Sequence, residues 1–169
     1  MNNRYSIIIP FYYGEKYYPV LLQSILNAIK KCEKINCFFE IITIVDSVDS
    51  SLEYIEAITR DFFSDEKNVV LVNLKNLTNL GVAATRNKAL QIAKGDYFHI
   101  IDQDDEVSAD IYLESQKYLK DNNLLLFNGI MCYINGDFNT HKLYYLSPRL
   151  SVKGLIKDDF IRSPGQVIF

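Results

Sequence analysis

Residues 95–106 read Gly95-Asp96-Tyr97-Phe98-His99-Ile100-Ile101-Asp102-Gln103-Asp104-Asp105-Glu106. The run from Tyr97 to Ile101 is apolar and β-prone, which predicts a strand, and four carboxylates follow within the next five residues. Two like charges about 4 Å apart repel by about 4 kcal/mol at an effective dielectric near 20, so clustered carboxylates usually bind a cation or shift a pKa. Mg²⁺ is typically held by one or two carboxylates together with water and substrate phosphates. The stretch therefore indicates a buried strand ending at a metal and phosphate site, with a solvated acidic turn as the alternative.

The composition is that of one globular domain. The chain has 169 residues, 49% of them hydrophobic and 13% aromatic, which is enough for a sizeable core, so we expect residues 1–169 to form a single domain. The net charge is −3, and Lys and Arg are scattered without a basic stripe, which argues against nucleic-acid binding.

Cysteine usage and the N-terminus bear on the compartment. Three cysteines, Cys32, Cys37 and Cys132, are an odd number without zinc-type spacing, which is typical of reduced thiols in an intracellular protein. The apolar run that Pro10 interrupts is too short for a signal peptide or a membrane span. We expect a cytoplasmic protein, with any contact to the inner face of a membrane being peripheral.

Short apolar runs alternate along the chain with longer segments of helical period, a pattern typical of an α/β fold with a parallel sheet covered by helices. The predicted strands are residues 6–10, 39–45, 69–72 and 97–101, and the predicted helices are residues 19–32, 50–63, 82–93 and 110–119. Ser50 and Glu53 predict a capping box for the second helix, and Gly95 is expected at the C′ position of the third. The apolar run 124–134, with Gly136, Asn139 and Tyr144-Tyr145 beyond it, predicts hairpins instead of another crossover.

The ends of the predicted strands point to one ligand site. In open parallel sheets, ligands bind beyond the carboxyl ends of the strands. This rule makes the segments that begin at Pro10, Asp46 and Asp102 neighbours around one crevice, although they lie far apart in the sequence. A nucleotide would fit this crevice.

Four motifs, taken together and in order, resemble a known family. They are Ser6-Ile7-Ile8-Ile9-Pro10-Phe11-Tyr12, Ile44-Val45-Asp46, Asn79-Leu80-Gly81-Val82-Ala83-Ala84-Thr85-Arg86-Asn87 and Asp102-Gln103-Asp104-Asp105. In this order they resemble the family 2 glycosyltransferases, which transfer a sugar from a nucleotide diphosphate donor to an acceptor with inversion. The resemblance covers about residues 4–110. It implies the GT-A fold, an open, mostly parallel, twisted sheet flanked by helices, with Rossmann-like nucleotide binding.

The resemblance also implies a division of the domain and a set of donor contacts. Residues 1–110 would form the half that binds the nucleotide-sugar donor, and residues 111–169 an incomplete acceptor-side region. By this resemblance Pro10 and Tyr12 line the base pocket, and Asp46 bonds the base or ribose. Asn79 and Gly81 are expected to act through loop conformation.

The diphosphate and the metal are assigned in the same way. Arg86 would face the diphosphate from the first turns of its helix, where a forked guanidinium and the positive helix end act together. Asp102 and Asp104 correspond to the DxD motif, which implies Mg²⁺ or Mn²⁺, with Asp104 as the main ligand and Asp102 shared between metal and ribose. His99 is expected to be a packed strand residue and not a ligand.

The catalytic base is expected beyond Phe169. In relatives it is a carboxylate downstream of a segment like Ser163 to Phe169, so Asp158 and Asp159, which precede that segment, are not assigned to the role. We therefore expect this chain, taken alone, to bind donor without turning it over.

The donor and acceptor are predicted only as classes. The family commonly has Asn at the position of Tyr13 and Asp-Gly at Ser47-Val48, so the base pocket is atypical. A UDP-sugar is the commonest donor, and a saccharide or lipid-linked saccharide in cell-surface polysaccharide synthesis is the usual acceptor.

Other readings of the acidic loop fit less well. A phosphatase motif would not continue with Asp105-Glu106, a calcium loop needs glycine where Val107 stands, and no dinucleotide or P-loop glycine motif occurs. The remaining alternative to an enzyme is a noncatalytic module for nucleotide-sugar binding or assembly.

Overall fold

A computed structural model of the chain describes residues 3–119, 124–127, 129–132, 141–144 and 164–169. The helices and strands, in chain order, are β1 (Asn3–Phe11), α1 (Tyr18–Lys31), β2 (Cys37–Val45), α2 (Leu52–Phe63), β3 (Val69–Lys75), α3 (Val82–Ile92), β4 (Tyr97–Ile100), α4 (Ile111–Ser115), β5 (Leu125–Leu126), β6 (Gly129–Cys132), β7 (His141–Tyr144) and β8 (Val167–Ile168), with a 3₁₀ turn at Pro164–Gln166 before β8.

Six strands form the main sheet, in the order β3-β2-β1-β4-β8-β5. The first four in this order are parallel, as the alternating pattern predicted, and β2, β3 and β4 each follow a helix in the chain. β8 runs antiparallel between β4 and β5. The mostly parallel α/β sheet flanked by helices is therefore confirmed.

The core lies on both faces of β1 and β2, which explains why these strands are nearly continuous apolar runs. On one face Ile7 and Ile9 pack with α1 and α2, and on the other Ile8 packs with Ala89 of α3. Five residues at helical spacing in α1 and at its C-cap are buried: Leu21, Ile25, Ala28, Ile29 and Cys32. Each fully buried aliphatic side chain contributes about 1.5–3 kcal/mol. This two-sided burial fixes the sheet that carries the cleft.

The capping box predicted from Ser50 and Glu53 is not formed, because α2 begins one residue later than predicted. The N-cap of α2 is Ser51, whose hydroxyl accepts a hydrogen bond from the Tyr54 amide at 3.1 Å. Ser50 is buried and donates to Glu15 at 2.5 Å. Because both positions are serine, the local pattern could not separate a cap from a loop contact.

Gly95 does not have the left-handed conformation of a C′ glycine. Gly81 is the one glycine with positive φ within the described residues, and α3 ends at Ile92 with Ala93 extended. A Cβ on Gly95 would lie 2.6 Å from the Ser6 amide nitrogen. Glycine is needed there because the chain crosses close to β1. The prediction that Gly95 is a C′ glycine was therefore wrong.

The region after β4 is less regular than predicted. The helix predicted over residues 110–119 is α-helical only over Ile111–Ser115. β6 and β7 form an antiparallel pair, as the hairpin prediction required. Gly136, Asn139, Tyr145, Asp158 and Asp159 lie outside the described residues. Within the described ranges, none of the helices has the length and apolar character needed to cross a membrane.

Candidate functional site

A cleft of about 490 Å³ opens at the carboxyl edge of the sheet, between the loops that follow β1, β2 and β4 and the start of α3. Ligand sites commonly have volumes of about 300–1,000 Å³. The cleft is lined by Pro10, Phe11, Tyr12, Asp46, Asn79, Gly81, Val82, Thr85, Arg86, Asp102, Gln103 and Asp104. The structure thus brings together all eight residues singled out from the sequence, namely Pro10, Tyr12, Asp46, Asn79, Gly81, Arg86, Asp102 and Asp104. Their roles in binding stay predictions.

Asp46 holds the loop that leads into α3. Its Oδ1 accepts hydrogen bonds from the Leu80 amide at 2.9 Å and the Asn76 side chain at 2.7 Å, and its Oδ2 accepts one from the Gly81 amide at 2.8 Å. Burial raises the pKa of this carboxyl, but the hydrogen bonds from Leu80, Asn76 and Gly81 more than offset it, so the pKa lies below its ordinary value. An ionised Asp46 therefore fixes the loop geometry at the floor of the cleft.

The sequence analysis missed the polar network behind Asp46. Asn76 is buried, and its amide donates to Asp46 at 2.7 Å and to the Thr85 hydroxyl at 3.1 Å. Lys88 donates a hydrogen bond to the side-chain oxygen of Asn76 at 2.7 Å. The one available signal was a polar residue directly after β3, at the same sheet edge as Asp46. This network ties three elements to the cleft floor.

The turn before α3 requires a glycine. Gly81 has φ 82° and ψ 160°, a region that is essentially restricted to glycine. Its amide also donates to the Asn79 side-chain oxygen at 2.9 Å. A Cβ on Gly81 would meet nothing within 4 Å, so backbone conformation alone accounts for the glycine. The turn leaves the N-terminal end of α3, with its partial positive charge, at the cleft.

Arg86 points from the second turn of α3 to the acidic loop. One of its terminal nitrogens donates to Asp102 Oδ1 at 2.5 Å, and the two side chains are 26% and 34% exposed. Its Nε is buried and has no hydrogen-bond partner within the described residues. The bond to Asp102 uses one of the five guanidinium N–H groups, so the terminal nitrogens have donor capacity left for an anion in the cleft.

Asp104 is exposed at the mouth of the cleft, two residues after Asp102. The described residues contain no group of three or more His, Cys, Asp or Glu side chains that could hold a metal ion. Two carboxylates nevertheless fit Mg²⁺ or Mn²⁺ when substrate phosphates and water complete the coordination. The residues present suit an ion that binds together with a phosphate ligand.

Tyr12 lines the cleft just after β1, and Tyr13, the next residue, packs against its ring. Tyr12 is half exposed, and its ring lies edge-on to that of Tyr13, with 4.6 Å between centroids. Tyr13 has φ 49°, and its hydroxyl donates to Asp49 at 3.1 Å. The unusual residue at position 13 therefore supports Tyr12 from the side.

His99 is a packed strand residue, as predicted. It is fully buried, with Nε2 2.9 Å from the Gly165 carbonyl and Nδ1 2.9 Å from the Tyr112 hydroxyl. Because a carbonyl can only accept, Nε2 carries the proton and Nδ1 accepts from Tyr112. Burial lowers the pKa of His99 to about 4, so the ring is neutral at pH 7.

Comparison with known proteins points to one family. The family profile described as "Glycosyl transferase family 2" matches residues 6–165. A poly(ribitol-phosphate) beta-glucosyltransferase of Bacillus spizizenii is 32% identical over 132 residues, which are 78% of this chain and 19% of that protein.

Two solved structures share the fold. The crystal structure of Staphylococcus aureus TarS 1-349 in complex with UDP-GlcNAc superposes with a TM-score of 0.58 and 25% identity, covering 79% of this chain and 36% of that one. The mannosyltransferase PcManGT of Pyrobaculum calidifontis, in complex with GDP-Man and Mn²⁺, has a TM-score of 0.56 at 20% identity, covering 75% and 36%. This chain spans about a fifth of the Bacillus relative and about a third of each solved structure.

Proposed function

The chain belongs to glycosyl transferase family 2, and on this premise we propose that it binds a nucleotide-diphosphate sugar in the cleft and serves in transfer of that sugar to an acceptor. UDP-sugar is the proposed donor, because the TarS structure that shares this fold is a complex with UDP-GlcNAc. Pro10 and Tyr12 line the base side, Asp46 contacts base or ribose, and the phosphates lie towards Arg86.

The observation that carries the proposal is the position of Arg86 against the acidic loop. A guanidinium with spare donors, the N-terminal end of α3 and two carboxylates open into one cleft. Positively charged groups alone would bind any anion, and carboxylates alone would bind any cation. Their combination suits a diphosphate that brings a divalent ion with it.

In sugar transfer, the leaving nucleoside diphosphate gains negative charge as the bond to the sugar breaks. Arg86 and the helix end would stabilise this charge from one side. Asp104 and Asp102 would hold Mg²⁺ or Mn²⁺, which when bound supplies Lewis-acid stabilisation of the diphosphate. Asp46 keeps the glycine turn in place, so these groups need little rearrangement when donor binds.

The acceptor and stereochemistry belong to the proposal as well. The Bacillus relative is named for a poly(ribitol-phosphate) acceptor and a beta product. A β product from an α-linked donor requires inversion, which agrees with the inverting chemistry proposed for this chain. We extend the acceptor from a saccharide or lipid-linked saccharide to polyol-phosphate polymers of the cell surface, and we place the reaction at the cytoplasmic face of the membrane.

A titration series followed by a transfer assay tests the proposal. Calorimetry with UDP, GDP and CDP, each with and without Mn²⁺, should show binding that depends on the metal and favours UDP. Absence of binding to all three nucleotides would contradict the donor site. An assay of sugar release from UDP-GlcNAc and UDP-glucose, with a polyol-phosphate acceptor, is made on a longer chain that includes the region expected to supply the base. It separates an enzyme from a noncatalytic binding module, which would bind donor and transfer nothing even in that longer form.

A further inference from the structure

Gln103 links the two sides of the cleft through its side-chain amide. Nε2 donates to the Tyr12 carbonyl at 2.6 Å, and Oε1 accepts from the Tyr12 amide at 2.5 Å. The side chain thus pairs with both backbone groups of Tyr12, as a neighbouring strand would. We refer to this pair of hydrogen bonds as the Gln103 clamp.

Gly14 provides the space for the clamp. A Cβ at position 14 would lie 2.4 Å from Cδ and 2.8 Å from Nε2 of Gln103. Gly14 is buried and does not have positive φ, so conformational freedom does not explain the glycine. The absence of a side chain at position 14 is what admits the amide of Gln103.

The clamp acts where strand pairing has ended. The paired residues of β1 and β4 end at Ile8 and Ile100, followed by one hydrogen bond from the Ile101 amide to the Ile8 carbonyl. Beyond this point the chain continues on one side to Tyr12 and on the other to Asp102 and Asp104. The clamp joins these two loops across the sheet edge.

We propose that Gln103 is a positioning residue that sets the spacing between the base side of the cleft, at Tyr12, and the phosphate and metal side, at Asp102 and Asp104. This inference rests on the proposed function. A donor that spans both sides binds best when that spacing is already correct, because ordering the loops on binding costs affinity. A ligand that occupies only one side does not depend on the spacing.

This difference separates a positioning role from a merely structural one. Loss of loop structure would weaken every ligand of the cleft. Loss of spacing would weaken UDP with Mn²⁺, which spans the cleft, and would leave uridine and Mn²⁺-pyrophosphate nearly unaffected.

The experiment uses Gln103→Ala, Gly14→Ala and the double variant, with Gln23→Ala on the exposed face of α1 as the control. Calorimetry with UDP and Mn²⁺ should give about tenfold weaker binding for each single variant, the effect of losing two hydrogen bonds of modest net strength. The double variant should bind no more weakly than Gln103→Ala, because the methyl group added by Gly14→Ala harms only the clamp. Uridine and Mn²⁺-pyrophosphate should bind each variant within about twofold of wild type.

Amide hydrogen exchange at Tyr12, measured without ligand, reports the clamp independently and should be faster in both single variants. If exchange accelerates while UDP affinity is unchanged, or if both fragments weaken as much as UDP, the positioning role is overturned and the proposed function stands. If wild type binds none of the three ligands, the proposed function fails and the positioning role falls with it.

Discussion

The guanidinium of Arg86 and the carboxylate of Asp102 lie 2.5 Å apart and join α3 to the loop that carries Asp104. The two side chains are about one-quarter and one-third exposed, so the pair is neither fully solvated nor sealed from the cleft. In this arrangement Asp102 neutralises part of the positive charge of Arg86 that would otherwise act on a diphosphate. The ion pair therefore connects the anion-binding and metal-binding sides of the proposed site.

Replacing Arg86 should weaken diphosphate binding specifically. Arg86→Ala removes charge-assisted hydrogen bonds worth about 1.5–3 kcal/mol each, so UDP affinity should fall about 10–100-fold. Arg86→Lys should recover only part of this loss, because a single ammonium lacks the forked geometry. Calorimetry with UDP and uridine provides the measurement. Arg60→Ala, at an exposed position of α2, is the control. An equal loss for uridine and UDP would show that Arg86 does not act on the phosphates.

Gly81→Ala should destabilise the fold although there is room for the methyl group. The cost arises from the backbone region at φ 82° and ψ 160° and should be about 1–3 kcal/mol. Gly81→Asn should be no better, because this region is closed to asparagine as well. Urea unfolding measures the free energy of both variants. A loss below about 0.5 kcal/mol in both would mean that the turn adapts to a side chain.

Tyr13→Asn should stabilise the protein and at the same time weaken UDP binding. The left-handed conformation at φ 49° costs tyrosine about 1 kcal/mol, and asparagine tolerates it better. Asparagine, however, cannot support the ring of Tyr12. Tyr54→Asn, on an exposed helix position, is the matched control and should be slightly destabilising. Thermal unfolding and UDP titration are the two measurements. Lower stability together with unchanged affinity would argue against this account of Tyr13.

Stability should depend on pH through His99. Its folded pKa of about 4 lies below the ordinary value of 6.5, so the unfolded chain binds the proton first as the pH falls. The contribution of neutral His99 to the free energy of unfolding is fully present above pH 6.5 and is lost as the pH falls from 6.5 towards 4. The loss amounts to at most about 3 kcal/mol. The pKa of Asp46 is also lowered in the folded protein. Its contribution to stability is therefore present above its ordinary pKa of 3.8 and is lost as the pH falls below that value.

Urea unfolding of wild type and His99→Gln between pH 7 and pH 4 tests this dependence. The variant should be less stable at pH 7 and should lack most of the decline. Parallel pH profiles for the two proteins would mean that His99 does not cause it.

The sequence predicted the fold because its signals are local and strong. The isoleucine runs of β1 and β2 are buried on both faces, and the rule for parallel sheets then places the segments that begin at Pro10, Asp46 and Asp102 at one edge whatever their separation in the chain. These relationships follow from periodicity and topology.

The missed features depend on close tertiary approach. Gly14 and Gln103 become a pair only when two loops from distant parts of the sequence meet, and Asn76 reaches Asp46 only across neighbouring strands. Ser50 and Ser51 are chemically identical, so only the folded chain distinguishes the helix cap from the loop contact. No periodic pattern carries this information.

The most direct test of the central claim is the affinity for UDP, with and without Mn²⁺, of wild type, Asp104→Ala and the control Asp65→Ala, which alters an exposed carboxylate in the turn before β3. If the cleft binds a cation together with the diphosphate, Mn²⁺ should strengthen UDP binding in wild type and Asp65→Ala and have no such effect in Asp104→Ala. Equal enhancement by Mn²⁺ in all three proteins would contradict the claim.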